Sequence, residues 1–103
     1  MLKAGFIGAG FVADFHRKAL QAVRGVELAG ILRRSNAEQL AASARSDGLG
    51  EAVLYDSIAD LCQAVDVVCV FCPNFSRVET FEAIRDAVKA GAELKGLICE
   101  KPL

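Results

Sequence analysis

The chain has 103 residues and a formal net charge of −1, with 53% of its residues hydrophobic and 24% charged, the balance of a single globular domain. No basic run is present to neutralise the phosphates of a nucleic acid, and no apolar stretch is long enough to cross a bilayer, so nucleic-acid and membrane partners are not expected. The N-terminus lacks the charged, apolar and small-residue order of a secretory leader, and the expected location is the cytoplasm.

Leu2–Ile7 is an apolar run of strand length that leads directly into Gly8-Ala-Gly10-Phe-Val-Ala13. Gly8 suits a tight strand-to-helix turn, Gly10 puts no side chain in the way of a pyrophosphate, and Ala13 lets helix and strand pack closely. The amides that open the following helix, among them those of Phe11 and Val12, would then face phosphate groups, as in a dinucleotide site. That helix is predicted from Phe11 to around Val23, with Val12, Phe15, Ala19 and Val23 as its stripe against the sheet and Gly25 ending it. Val26–Leu32 reads as a second strand covered on both faces. Ser35-Asn-Ala-Glu38 has the form of a capping box and starts a second helix, which runs to around Arg45 before Gly48 and Gly50 break it.

Ala52–Tyr55 is a short third strand, and Ser57-Ile-Ala-Asp60 caps a brief helix with Ile58, Leu61 and Cys62 inward. Asp66–Phe71 is a strong fourth strand closed by Pro73. The last helix is expected from around Ser76 to Ala90, with Val78, Phe81, Ile84 and Val88 on one face and Gly91 as a left-handed cap. Leu97–Cys99 then forms a fifth strand ahead of Glu100-Lys101-Pro102-Leu103. This alternation predicts an α/β fold, a doubly wound parallel sheet in the order 3-2-1-4-5, as one domain over residues 1–103.

In that order the ligand crevice opens between the carboxyl ends of strands 1 and 4, with Gly8 and Gly10 on one lip and Cys72, Pro73 and Asn74 on the other. Arg33, Arg34 and Ser35 after strand 2, and Glu100 and Lys101 after strand 5, fall on the same rim. Of the cysteines Cys62, Cys69, Cys72 and Cys99, the Cys69–Cys72 pair resembles a redox or metal motif, but residues three apart on a strand point to opposite faces. All are expected as reduced thiols packed like small apolar residues. His16 is the single histidine, and no metal site is expected.

With the glycine loop, His16, Cys72-Pro-Asn74, Ala90-Gly91 and Glu100-Lys101-Pro102 together, nearly the whole chain resembles the Gfo/Idh/MocA oxidoreductases, typified by glucose–fructose oxidoreductase and inositol dehydrogenase. The Glu-Lys-Pro tripeptide is the specific part of that likeness. The resemblance implies NAD(P)-dependent hydride transfer to or from a sugar, inositol or related polyol or ketone. It also implies that Lys101 lies beside nicotinamide and substrate, as a substrate-binding or acid/base residue. A lysine suits that task because burial lowers its pKa, and Pro102 restricts the backbone from which it departs.

Members of the family are longer, with a second α/β domain that supplies the substrate pocket and a homo-oligomer interface. That substrate domain is expected to be absent from this chain. The alternative reading is a stand-alone nucleotide-binding regulatory module without turnover. Two positions depart from the family pattern. Arg33 stands where an acid would bind the ribose hydroxyls of NAD, and with Arg34 and Ser35 it suits a 2′-phosphate, so NADP is expected in preference to NAD. Arg77 stands where a histidine is common.

Overall fold

The computed structural model describes residues 1–72 and 77–99, without the side chain of Phe11. In chain order the elements are β1 (Leu2–Ile7), α1 (Phe11–Leu20), β2 (Val26–Leu32), α2 (Ala37–Ser46), β3 (Val53–Tyr55), α3 (Ile58–Ala64), β4 (Val67–Val70), α4 (Arg77–Lys89) and β5 (Gly96–Cys99). The strands form one sheet in the order β3-β2-β1-β4-β5, and every pairing is parallel, as expected from the alternation of strand and helix.

Two cores lie on opposite faces of the sheet. Phe6, Leu28 and Ile31 pack with Ala13 of α1 and Ala37, Leu40, Ala41 and Ala44 of α2. Ile7, Leu32, Val68 and Val70 pack with Leu61 and Cys62 of α3 and Ile84 and Ala87 of α4. Leu28 and Ile31 share a face because the β1–β2 register shifts between Ala4 and Gly5, where Leu28 and Gly30 are their partners and Ala29 is passed over. One extra residue flips the alternation that follows it. At its far end α4 closes as foreseen. Gly91 has φ +114, its N–H reaches Val88 O at 3.1 Å, and the Ala92 N–H reaches Ala87 O at 3.0 Å.

Several local expectations are corrected. The α1 helix stops at Leu20, and its inward face is Ala13, Arg17 and Leu20, while Phe15, Ala19 and Val23 are exposed and Val12 is half-buried. Here a buried arginine takes a place that apolar periodicity assigns to a hydrophobe: Arg17 spans from Asp14 on its own helix to Asp47 at the end of α2. Ser35 does not cap α2. The N-cap is Asn36, left-handed at φ +68 and without a side-chain cap bond. On α4, Val78 and Val88 are exposed, and Arg77, Thr80, Ile84 and Ala87 face inward with Phe81 half-buried. The third and fourth strands are shorter than expected, starting at Val53 and spanning Val67–Val70.

Candidate coenzyme crevice

Because all five strands run parallel, their carboxyl ends lie along one rim. At its centre β1 leaves the sheet beside β4, with Phe71 donating its N–H to Ile7 O at 2.8 Å. Gly8 follows at φ +106, a conformation that side chains resist, and a Cβ there would come within 2.9 Å of the Phe71 carbonyl carbon. Glycine is therefore required at this position by the fold itself. Gly10 differs. Its φ of −83 is ordinary, and a Cβ would meet nothing within 4 Å.

Gly10 is the N-cap of α1, yet no side chain caps that helix. By helix geometry the first-turn amides, those of Phe11 and Val12 included, have no acceptor within the helix, and they carry the positive end of its dipole. Beside Gly10 a polar cleft of about 370 Å³ runs between α1 and α2, lined among others by Asp14, Asn36, Gln39 and Ser43. The Asp14 carboxylate does not stand alone against an incoming anion, since Arg17 Nε lies 2.9 Å and Lys18 Nζ 3.5 Å from its oxygens. The Arg17 hydrogen bond holds this carboxyl below its ordinary pKa. Space at Gly10 combined with an uncapped helix start fits a diphosphate.

The opposite lip is the end of β4. Cys72 is buried, with its Sγ 3.6 Å from Thr80 Oγ1 on α4. Phe71 is braced on the α1 side, its ring stacked on His16 at 4.6 Å and edge-on to Phe6 at 5.0 Å. His16 thus packs against the lip from behind. All four cysteines are free thiols, three of them buried and Cys99 half-buried, and desolvation raises Cys69 to about 11. Among the described residues no cluster of His, Cys, Asp and Glu is placed to hold a metal, and no helix is long and apolar enough to cross a membrane.

Arg33, Arg34 and Ser35 lie exposed on the loop that leaves β2, on the same rim. The structure adds a residue that the sequence reading missed. Asp56, directly after β3, takes the Arg33 Nε at 2.7 Å, and Glu38 of α2 stands 3.7 Å from Arg33 Nη1. Asp56 was findable, because in this strand order β3 borders β2 and its carboxyl end must share the rim. Below this loop Arg33, Arg34, Asp56 and Ser57 border a cavity of about 460 Å³ floored by α4. The structure therefore brings Gly8, Gly10, Phe11, Val12, Arg33, Arg34, Ser35 and Cys72 to one edge. Pro73, Asn74, Glu100 and Lys101 lie outside the described residues.

Comparison with known proteins agrees with this fold. Residues 2–103 match the model of the Gfo/Idh/MocA family, described as an oxidoreductase family with an NAD-binding Rossmann fold. The chain is 30% identical to glucose-6-phosphate 3-dehydrogenase of Bacillus subtilis (strain 168) along its entire length, which covers 27% of that protein. It superposes with a TM-score of 0.68 and 26% identity on UDP-N-acetylglucosamine 3-dehydrogenase from Acidithiobacillus ferrooxidans, covering 94% of this chain and 29% of that one. On myo-inositol dehydrogenase from Lactobacillus casei, solved in complex with NAD(H) and myo-inositol, the TM-score is 0.75 at 24% identity, a likeness of fold that covers 100% of this chain and 29% of the other. The chain spans less than a third of the length of these relatives.

Proposed function

The chain belongs to the Gfo/Idh/MocA family of oxidoreductases, and from that premise we propose that it is the coenzyme-binding part of a dehydrogenase acting on a sugar, inositol or related polyol. One observation carries this reading. At Gly10 the helix start has no side-chain cap and a Cβ there would meet open space, the two conditions a diphosphate needs in order to reach main-chain amides.

A nicotinamide coenzyme, when bound, supplies or accepts the hydride. Gly8 and Gly10 let the backbone approach, and the Phe11 and Val12 amides hold the diphosphate. The remaining coenzyme contacts are assigned to Cys72, at the end of β4, and, from the family likeness, to Pro73, Asn74 and Glu100. Lys101 binds the reacting oxygen of the substrate and exchanges its proton as hydride arrives at or leaves the adjacent carbon. Arg33, Arg34 and Ser35 favour the coenzyme that carries a ribose 2′-phosphate, since two guanidinium groups and a hydroxyl on their loop can bind it.

Fluorescence titration of the purified chain with NADPH and NADH tests both levels of the proposal. Saturable binding of both, tighter for NADPH, is expected. A folded chain that binds neither overturns the coenzyme site, and NADH binding as tight as NADPH binding overturns the preference alone.

A further inference from the structure

We infer that Asp56 sets the strength of the coenzyme preference from the neighbouring strand, by holding and partly neutralising Arg33, so that Arg34 is the guanidinium a ribose 2′-phosphate meets at full charge. The inference rests on the coenzyme site proposed above and concerns how that site tells its two ligands apart.

The arrangement follows from the sheet. Leu32 pairs with Tyr55 in the β2–β3 ladder, and the ladder continues one step further, where the Arg33 N–H donates to Tyr55 O at 2.8 Å. Arg33 and Asp56 therefore leave adjacent parallel strands side by side. The Arg33 Nε donates to Asp56 Oδ1 at 2.7 Å, and Arg33 Nη1 stands 3.7 Å from Glu38 Oε1 on the first turn of α2. A single guanidinium thus faces two carboxylates. Arg34, the next residue, is exposed; its carbonyl accepts from the Ala37 N–H at 3.0 Å, but its guanidinium makes no hydrogen bond or ion pair among the described residues.

A guanidinium binds phosphate best through a two-pronged edge. With its Nε side already given to Asp56, Arg33 presents only what remains, and any phosphate it takes lies within about 7 Å of a carboxylate, a distance inside the Debye length of about 8 Å. NAD carries no charge at that position and meets no such repulsion. Repulsion of a dianion at this range, in a water-like surface dielectric and physiological salt, weakens NADP by about two- to fivefold for each carboxylate. Both carboxylates are largely exposed, with side-chain exposures of 80%, so either can be neutralised isosterically with little effect on folding.

The test measures the dissociation constants of NADPH and NADH for the wild type, Asp56→Asn, Glu38→Gln, Arg33→Ala and Arg34→Ala at low and high salt. Asp56→Asn is expected to tighten NADPH by about two- to fivefold, leave NADH within about 1.5-fold, and lose its advantage at high salt. Glu38→Gln should act in the same direction, and Arg34→Ala should weaken NADPH by at least about tenfold, more than Arg33→Ala. An unchanged or reversed NADPH-to-NADH ratio in Asp56→Asn overturns the inference, as does a larger NADPH loss in Arg33→Ala than in Arg34→Ala. A wild type that binds neither coenzyme overturns the site itself and this inference with it; normal NADH binding with an unmoved ratio overturns the inference alone.

Discussion

Gly10 is a position where helix stability and coenzyme binding oppose each other, and Gly10→Asp separates them. The residue caps α1 in extended geometry, φ −83 and ψ −156, with no side chain on the helix amides and open space where a Cβ would stand. Aspartate is among the best N-cap residues in that geometry. It accepts from first-turn amides and places a negative charge at the positive end of the dipole, a gain of about 0.5–1 kcal/mol over glycine. For a domain of this size that raises the melting temperature by about 2–6 °C. The same carboxylate occupies the amides that a diphosphate would use, and repels it. At about 4 Å the repulsion is about 1 kcal/mol per charge pair in a water-like medium and about 4 kcal/mol at the effective dielectric of a protein surface. The dissociation constant for either coenzyme should therefore rise at least about tenfold while the protein melts later. Thermal melting by circular dichroism and titration by coenzyme fluorescence read the two effects independently. A stable Gly10→Asp protein that binds NADPH within about twofold of wild type would refute the argument, because no diphosphate could then be lying against these amides.

Three further perturbations follow from the same geometry. Gly8→Ala must place a methyl group at φ +106 within 2.9 Å of the Phe71 carbonyl carbon, and urea denaturation should show a loss of about 2–4 kcal/mol. Arg17→Leu removes the guanidinium that joins Asp14 to Asp47 across α1 and α2, leaving Asp47 without this partner and Asp14 with Lys18, and should cost about 1–3 kcal/mol in the same assay. Asp14 titrates below its ordinary 3.8 in the folded protein because of the Arg17 hydrogen bond. Its contribution is thus present above about pH 4 and is lost as the pH falls through the folded value, so Asp14→Asn should flatten the acid limb of the melting-temperature profile below about pH 4.

The order of the sheet was legible because strand-length apolar runs alternate with helical ones and glycines mark the boundaries, and a parallel sheet of that order brings its chemistry to one rim. Side-chain pairings on the rim were not legible in the same way. Ser35 and Glu38 have the spacing of a reciprocal cap, but Asn36 takes the left-handed position before α2 and Glu38 lies towards Arg33. The spacing displays the capping arrangement and not the approach of Glu38 to Arg33. The partnership of Arg33 with Asp56 depends on the β2–β3 register, which residues far apart in the chain do not announce. The register shift at Ala29 is likewise invisible in a strand that is apolar on both faces, since a change of face leaves no change of polarity.

Helix phase was the other loss, and its cause can be tested. In α1 and α4 the larger hydrophobes suggested a buried stripe, yet the structure turns Ala13, Arg17 and Leu20, and Thr80, Ile84 and Ala87, inward. The turn through Gly8 and Gly10 puts Ala13 directly on the sheet, and once that small residue is in contact, Phe15 points about 200° away around the helix. On α4, Val78 is 68% exposed and Ile84 is buried. Val78→Ser should therefore change the unfolding free energy by no more than about 0.5 kcal/mol, whereas Ile84→Ala should cost about 2–4 kcal/mol through its cavity. Equal losses in the two variants would mean that α4 meets the sheet on the stripe that apolar periodicity marks, and the Thr80–Cys72 contact at the crevice would fall with that rotation.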